Sequence, residues 1–223
     1  MILIPAFQPI KHVGTGSFVA AEVLTRWYDN GQVITPSNIK THVNWGMVDI
    51  EVAKFIQNNL PLCRDQYRAL FINVSEQTLV TDSIYYAWAE IIKRIAKTRI
   101  ARIVIEITEG VQDTSLANRW GALENLGGEF ALDDYGDENS TMARLNKYAW
   151  HYCKFDANRL HSLVDYPAIK YCREKGIHLI AEQIETSLQE ESAKLFGLFL
   201  QQGFYHGKPA VLDGCMNRIK AIS

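Results

Sequence analysis

Arg102-Ile-Val-Ile-Glu-Ile-Thr-Glu109 and Glu129-Phe-Ala-Leu-Asp-Asp134 are short apolar runs, and Leu116 to Leu126 between them has the spacing of a helix. Two parallel strands need a crossover of a dozen or more residues, usually helical, and this stretch has the makings of one βαβ unit. The alternation extends in both directions. Upstream lie a strand over Ala69 to Ser75 and helices over Val48 to Leu60 and Ser83 to Lys97. Downstream lie strands over Tyr152 to Asp156, His178 to Glu182 and Gly197 to Gln202, with helices over Ala168 to Lys175 and Ser187 to Phe196. At the start, Ile4 to Ile10 and Phe18 to Trp27 form a hairpin through Gly14-Thr15-Gly16, and Asn30-Gly31 makes a further tight turn. Eight strand candidates predict an α/β fold: a modified TIM, or (βα)8-type, barrel whose first strand, entered through a hairpin, runs antiparallel.

Composition agrees with a single such unit. Of 223 residues, 48% are apolar and 22% charged, and no linker, low-complexity tract or repeat divides them, so residues 1–223 are expected to form one domain. The formal charge of −2 offers no basic footprint for long nucleic acid. No apolar run approaches a membrane span and no leader opens the chain, so a soluble, cytoplasmic protein is expected. The four scattered cysteines, Cys63, Cys153, Cys172 and Cys215, are read as reduced thiols.

Each apolar run carries an ionisable or amide residue near its C-terminal end: Glu22, Asn73, Glu106, Asp133, Lys154, Glu182 and Gln202. Period-2 alternation puts Glu22 on one face with Leu24 and Arg26, Glu106 with Val104 and Thr108, and Lys154 with Tyr152 and Asp156. If those faces point inward, the charges converge on the rim where barrel chemistry sits. Four carboxylates there would repel and take up protons unless cations lie among them. The candidate ligands are carboxylates and the Asn73 amide, a set of oxygen donors suited to Mg2+ or Mn2+. The neighbouring pair Asp133-Asp134 can bridge two ions, the arrangement that serves displacement at phosphorus.

Other chemistries find less support. The six histidines lack zinc-hydrolase spacing, and no Gly-x-Ser-x-Gly elbow or Walker loop is present. Lys154 on a barrel strand leaves a Schiff-base lyase open, although carboxylate neighbours would hold its nitrogen as a cation.

Eight motifs in order carry a resemblance. Phe7-Gln-Pro-Ile10, Glu22-Val-Leu-Thr-Arg-Trp27, Asn73-Val-Ser75, Ile105-Glu-Ile-Thr-Glu109, Leu132-Asp-Asp-Tyr-Gly136, Lys154-Phe-Asp156, Ala181-Glu-Gln-Ile-Glu-Thr186 and Gln202-Gly-Phe-Tyr-His-Gly-Lys-Pro209 resemble the motifs of the EAL-domain cyclic di-GMP phosphodiesterases, over roughly residues 4–212. The resemblance implies a barrel and Mg2+- or Mn2+-dependent opening of cyclic di-GMP to linear pGpG with two ions. Its alternative is a catalytically silent cyclic di-GMP receptor or protein-binding module.

Carried over by position, it makes Glu22, Asn73, Glu106 and Asp133 ligands of one metal, with Asp133, Asp134 and Glu182 facing the second. Lys154 would orient or deprotonate the attacking water, with Glu22 and Glu182 beside it in the catalytic centre. Glu185 and Gln202 would support metal-bound water, Gln8 and Arg26 would contact the ligand, and Glu109 would steady the loop after strand five. That loop also implies a homodimer contact.

Three departures stand out. Val23 replaces an alanine, which implies repacking behind the strand. Gln183-Ile184 stand where Gly-Val is usual. Asp133-Asp-Tyr-Gly-Asp-Glu-Asn-Ser-Thr141 replaces Asp-Asp-Phe-Gly-Thr-Gly-Tyr-Ser-Ser, which brings two extra carboxylates, Asp137 and Glu138, near the second metal position and puts glutamate at a turn that favours glycine.

Overall fold

Eight strands close on themselves in a computed structural model that describes residues 1–39, 41–212 and 215. They are β1 (Ala6–His12), β2 (Ser17–Leu24), β3 (Ala69–Val74), β4 (Arg102–Ile107), β5 (Glu129–Leu132), β6 (Tyr152–Asp156), β7 (His178–Glu182) and β8 (Leu200–Gln202). They neighbour one another in chain order, and β8 pairs back onto β1. Strand β1 is antiparallel to both β2 and β8, and every other neighbouring pair is parallel. The expected modified barrel is therefore the observed one. Around it lie α1 (Trp45–Gln66), α2 (Glu76–Val80), α3 (Asp82–Thr98), α4 (Asp113–Glu124), α5 (Met142–Lys147), α6 (Tyr166–Lys175) and α7 (Ser187–Leu195). No helix among the described residues is long and apolar enough to cross a membrane.

Strand β4 shows why alternation alone understates these strands. Ile103, Ile105 and Ile107 face the helices in the main core, while Val104 points into the barrel beside Ile10, Ala20, Phe71, Ala131, Tyr152 and Ile180. Both faces are dry, as in parallel sheets covered by helices. Val23 belongs to the outer core, on the opposite face of β2 from Glu22, which fits the repacking expected at that position. Helix α3 buries Tyr85, Trp88, Ala89, Ile92 and Ile95 at three- and four-residue spacing against that core.

Two elements depart from the sequence reading. The second strand was expected to run to Trp27 but stops at Leu24. Trp27–Asp29 instead pairs with Ile2–Leu3 and Gln32–Ile34 in a small antiparallel sheet, turned by Asn30 and Gly31 at φ 47° and 84°. Arg26 thus lies in the break rather than in line with Glu22, and its Nη1 donates to the Thr25 carbonyl at 2.7 Å. Helix α1 overruns the expected Val48 to Leu60 at both ends. Asn44 caps its start by accepting from Met47 N–H, and the helix continues past Pro61 through a kink at Asn59 (φ −119°). Proline supplies no N–H and crowds the preceding turn, and the Asn59 amide meets the helix by donating to the Phe55 carbonyl at 2.8 Å.

Candidate metal centre

The inward faces of the strands bring the predicted residues together around one ammonium group. Lys154, 1% exposed, places Nζ 2.7 Å from Asp133 Oδ1, 2.8 Å from Glu182 Oε2, 3.0 Å from Glu106 Oε1 and 3.2 Å from Glu22 Oε2. Glu22 also accepts from Gln202 Nε2 at 2.7 Å and Asn73 Nδ2 at 3.1 Å, and Gln202 donates to Gln8 Oε1 at 3.2 Å. Residues of all eight strands or their ends thus meet at one rim.

Burial sets the charge balance. It pushes the Glu106, Asp133 and Glu182 carboxyls above their ordinary range, with repulsion from neighbouring carboxylates adding to it and Lys154 opposing it. Burial acts on Glu22 too, but Lys154, Gln202 and Asn73 together hold it below that range. Burial alone would lower Lys154, and the four carboxylates instead raise it well above the ordinary lysine value. One cation cannot balance four carboxylates. Glu106 Oε2 and Glu182 Oε1 are buried without a hydrogen-bond partner, so oxygen donors remain unsatisfied. Hard divalent cations fit such a set.

A second acidic group shares Asp133. One carboxylate oxygen each from Glu109, Asp133 and Asp134 lie within 4.8 Å of one another. Burial, then Asp133, pushes Asp134 up to about 7. Asp134 sits in a left-handed conformation (φ 42°), which directs its side chain out of the strand path. Glu109 does tether the loop after β5, but through its main chain: its carbonyl accepts from Asn139 N–H and Nδ2 at 3.3 and 2.9 Å. Its carboxylate is left to the acidic group.

Two clefts reach the rim, and Glu22 lines the first. One of ≈ 220 Å³ is lined by Gln8, Glu182, Glu185 and Gln202 among others, with Glu185 exposed at its edge. The other, ≈ 480 Å³, is lined by Arg26, Trp45, Asp49, Asn73 and Glu109 among others. Gln8 and Arg26, the two expected ligand contacts, therefore line different clefts.

Residues 2–209 match the family described as EAL domain. The chain belongs to the EAL domain family. This EAL domain is 24% identical to a probable cyclic di-GMP phosphodiesterase, PdeG, of Escherichia coli K12, over 226 residues covering 93% of this chain and 44% of that protein. It thus spans under half of that relative's length. Among solved structures it resembles the Bacillus subtilis YkuI protein, which has an EAL domain and was solved with cyclic di-GMP and calcium (TM-score 0.77, 22% identity, 98% of this chain and 58% of that one). It also resembles Klebsiella pneumoniae BlrP1, solved as a manganese and cyclic di-GMP complex (TM-score 0.77, 20% identity, 95% of this chain and 57% of that one).

Sequence reasoning missed three residues of this EAL domain's site region. Asp49, 8% exposed on a cleft wall, accepts at Oδ2 from Thr78 Oγ1 (2.6 Å), Ser75 Oγ (2.7 Å) and Ser75 N–H (2.9 Å). Its signal was an acid on the apolar face of α1, in phase with Val52, Ala53 and Ile56. Burial pushes its carboxyl up to about 6 against the bonds from Thr78 and Ser75. The folded chain therefore keeps a proton that the unfolded chain has released between pH 3.8 and about 6. Stability is expected to fall across that window by up to ~1.4 kcal/mol per pH unit from this group, and to level off above it. Urea unfolding at several pH values should show the step in the parent and a flatter profile in Asp49→Asn.

Arg159 and Asp165 are the other two. Arg159 donates to Asp137 Oδ1 at 3.0 Å and to Asp165 Oδ1 at 2.9 Å, and it covers Gly136, whose φ of 98° suits glycine. Asp137 is thus paired with a cation, a contact its sequence position did not reveal. Glu138, at φ 36°, does occupy the left-handed turn expected to favour glycine, as does Gln183 at φ 57°. Asp165 is 2% exposed, so Arg159→Met should cost ~1–3 kcal/mol by stranding a buried carboxylate. Thermal unfolding would show this, with partial recovery in the double variant Arg159→Met, Asp165→Asn.

Proposed function

We propose that this EAL domain, residues 1–223 as one unit, hydrolyses cyclic di-GMP to linear pGpG with Mg2+ or Mn2+. The observation that carries the reading is the surplus of buried carboxylate around Lys154, a charge distribution that calls for cations. The substrate reading is supported by the family, by the relative PdeG being a probable cyclic di-GMP phosphodiesterase and by the cyclic di-GMP in the YkuI and BlrP1 structures. Glu22, Asn73, Glu106 and Asp133 would hold one ion and Asp133, Asp134 and Glu182 the other, with Glu109 beside Asp134. Bound there, such ions acidify water and neutralise charge building at phosphorus.

The chain's own groups supply the rest. Lys154, kept charged by its four neighbours, orients the attacking water and offsets negative charge in the transition state. It does not act as the base while it holds its proton. Gln202 fixes Glu22 and Gln8 relative to one another, and Glu185 stands at the exposed edge of that cleft, where it would support metal-bound water. Arg26, in the opposite cleft, meets a phosphate or guanine edge of the dinucleotide. The loop after β5 would form the contact of a homodimer, which sedimentation of the parent and a loop variant can test.

The deciding experiment is chromatography of cyclic di-GMP incubated with the purified chain and Mn2+. Conversion to pGpG that stops with chelator is the expected result, and turnover that survives chelation would overturn the metal mechanism. Binding without turnover would instead make the chain a receptor, the reading to which its altered loop gives some weight.

A further inference from the structure

At the other end of the barrel, where the parallel strands begin, lies a second hollow of ≈ 430 Å³. Its lining includes Ile10, Ala20, Phe71, Tyr152 and Leu200. Each is two positions along its strand from a residue of the rim: Gln8, Glu22, Asn73, Lys154 and Gln202 respectively. Side chains two apart share a face, so the roof of the hollow and the floor of the acidic site are successive layers, about 7 Å apart along the strands. The space exists because Ala20 and Ala69 stand in the inner layer that lines it, where barrels of this type carry bulky branched residues.

The walls are aromatic. Phe71 and Tyr152 meet edge to face at 5.0 Å, and His178 lies against Tyr152 at 5.3 Å. Among the described residues lining the hollow, Arg102 is the only lysine, arginine, aspartate or glutamate. Its Nη1 lies 3.5 Å from Tyr152 Oη and makes a long ion pair with Glu129 Oε1 at 3.7 Å, while Tyr152 Oη donates to Glu129 Oε2 at 3.1 Å. A bound anion would take Arg102 from Glu129 by forming the shorter pair of ~2.7–2.9 Å. Glu129 does not line the hollow. A largely apolar hollow of this size, with Arg102 beside His12, His178 and the Tyr152 hydroxyl, has the character of a small-molecule site.

We infer that this hollow is a regulatory site for a small flat aromatic anion, its ring against Phe71 and Tyr152 and its carboxylate or phosphate on Arg102. Occupancy reaches the acidic rim because Tyr152 and Lys154, Ala20 and Glu22, and Phe71 and Asn73 ride on shared strands.

Calorimetry of the full chain with indole-3-acetate tests the site, with the neutral alcohol tryptophol as control. One-to-one saturable binding is expected, weakened about tenfold or more for tryptophol and for Arg102→Gln, since each removes one charged hydrogen bond. Ala69→Leu should abolish binding by filling the space, with no loss of melting temperature because the side chain enters a void. The regulatory half rests on the proposed metal site: Mn2+ affinity should change about threefold or more in saturating indole-3-acetate, a modest coupling. Absence of saturable binding, or binding that survives Ala69→Leu, overturns the site. Equal affinity for tryptophol, or for Arg102→Gln, overturns the anion. Unchanged Mn2+ affinity overturns the regulation. The Mn2+ isotherm of the parent without probe judges the metal reading by itself.

Discussion

Lys154→Met will cost the metal-free chain about 3–5 kcal/mol, because it removes the cation from among buried carboxylates. Glu106 is fully buried and Glu22, Asp133 and Glu182 are each less than a tenth exposed, so water offers little in exchange. The loss will depend on pH. Burial raises the Glu106, Asp133 and Glu182 pKa values in the folded chain, and deleting Lys154 raises them further. The folded variant then binds protons that the unfolded chain has released, so its stability falls as pH rises above the ordinary carboxylate range and recovers on acidification. Mn2+ should restore much of the loss at neutral pH, since an ion bound only by the folded state adds ~2.7 kcal/mol at a hundred times its Kd. Thermal unfolding with and without Mn2+ at several pH values measures all three effects. In the proposed hydrolysis, kcat should fall on the order of 10²–10³ with KM little changed. A raised KM at constant kcat would place Lys154 in binding rather than in the chemistry.

Glu22→Ala should remove turnover more completely, by on the order of 10³ or more, because Glu22 is both a proposed ligand and the acceptor that organises its neighbours. Lys154, Gln202 and Asn73 all donate to it, and of the four carboxylates around Lys154 it is the one held below the ordinary range. Its replacement takes one acceptor from each of three donors, of which Lys154 keeps three other carboxylates and Gln202 keeps Gln8, while relieving repulsion among the remaining acids. These effects oppose each other, so the metal-free melting temperature should change little compared with that of Lys154→Met. Mn2+ calorimetry should show one site weakened. Full Mn2+ binding with retained turnover would remove Glu22 from the ligand set.

The barrel and the acidic rim were legible because both are periodic in sequence. Strand after helix after strand fixes the architecture, and an acid, amide or lysine near each strand end fixes a convergence once the strands close. What escaped were contacts between residues that no short pattern relates. Arg159 reaches Asp137 from 22 positions away and Asp165 from six, through a loop that turns on left-handed residues. Asp49 lies in phase with the apolar residues of α1, but only the packing of that helix against Ser75 and Thr78 shows which groups receive it. The stop at Leu24 was hidden because Trp27 and Tyr28 have strand character; a small separate sheet takes them instead.

The pairing of β8 with β1 bears on how this molecule assembles itself. Leu200, Gln201 and Gln202 find His12, Lys11 and Ile10 across about 190 intervening positions, a seam whose closure carries nearly the largest loop entropy the chain has to offer. Gln202 stands on one side of that seam, and Gln8 and Glu22 on the other. The rim is therefore complete only when this seam is closed, and a partial opening along this one line would part Gln202 from Gln8 and Glu22 while the cluster around Lys154 stayed on the intact wall.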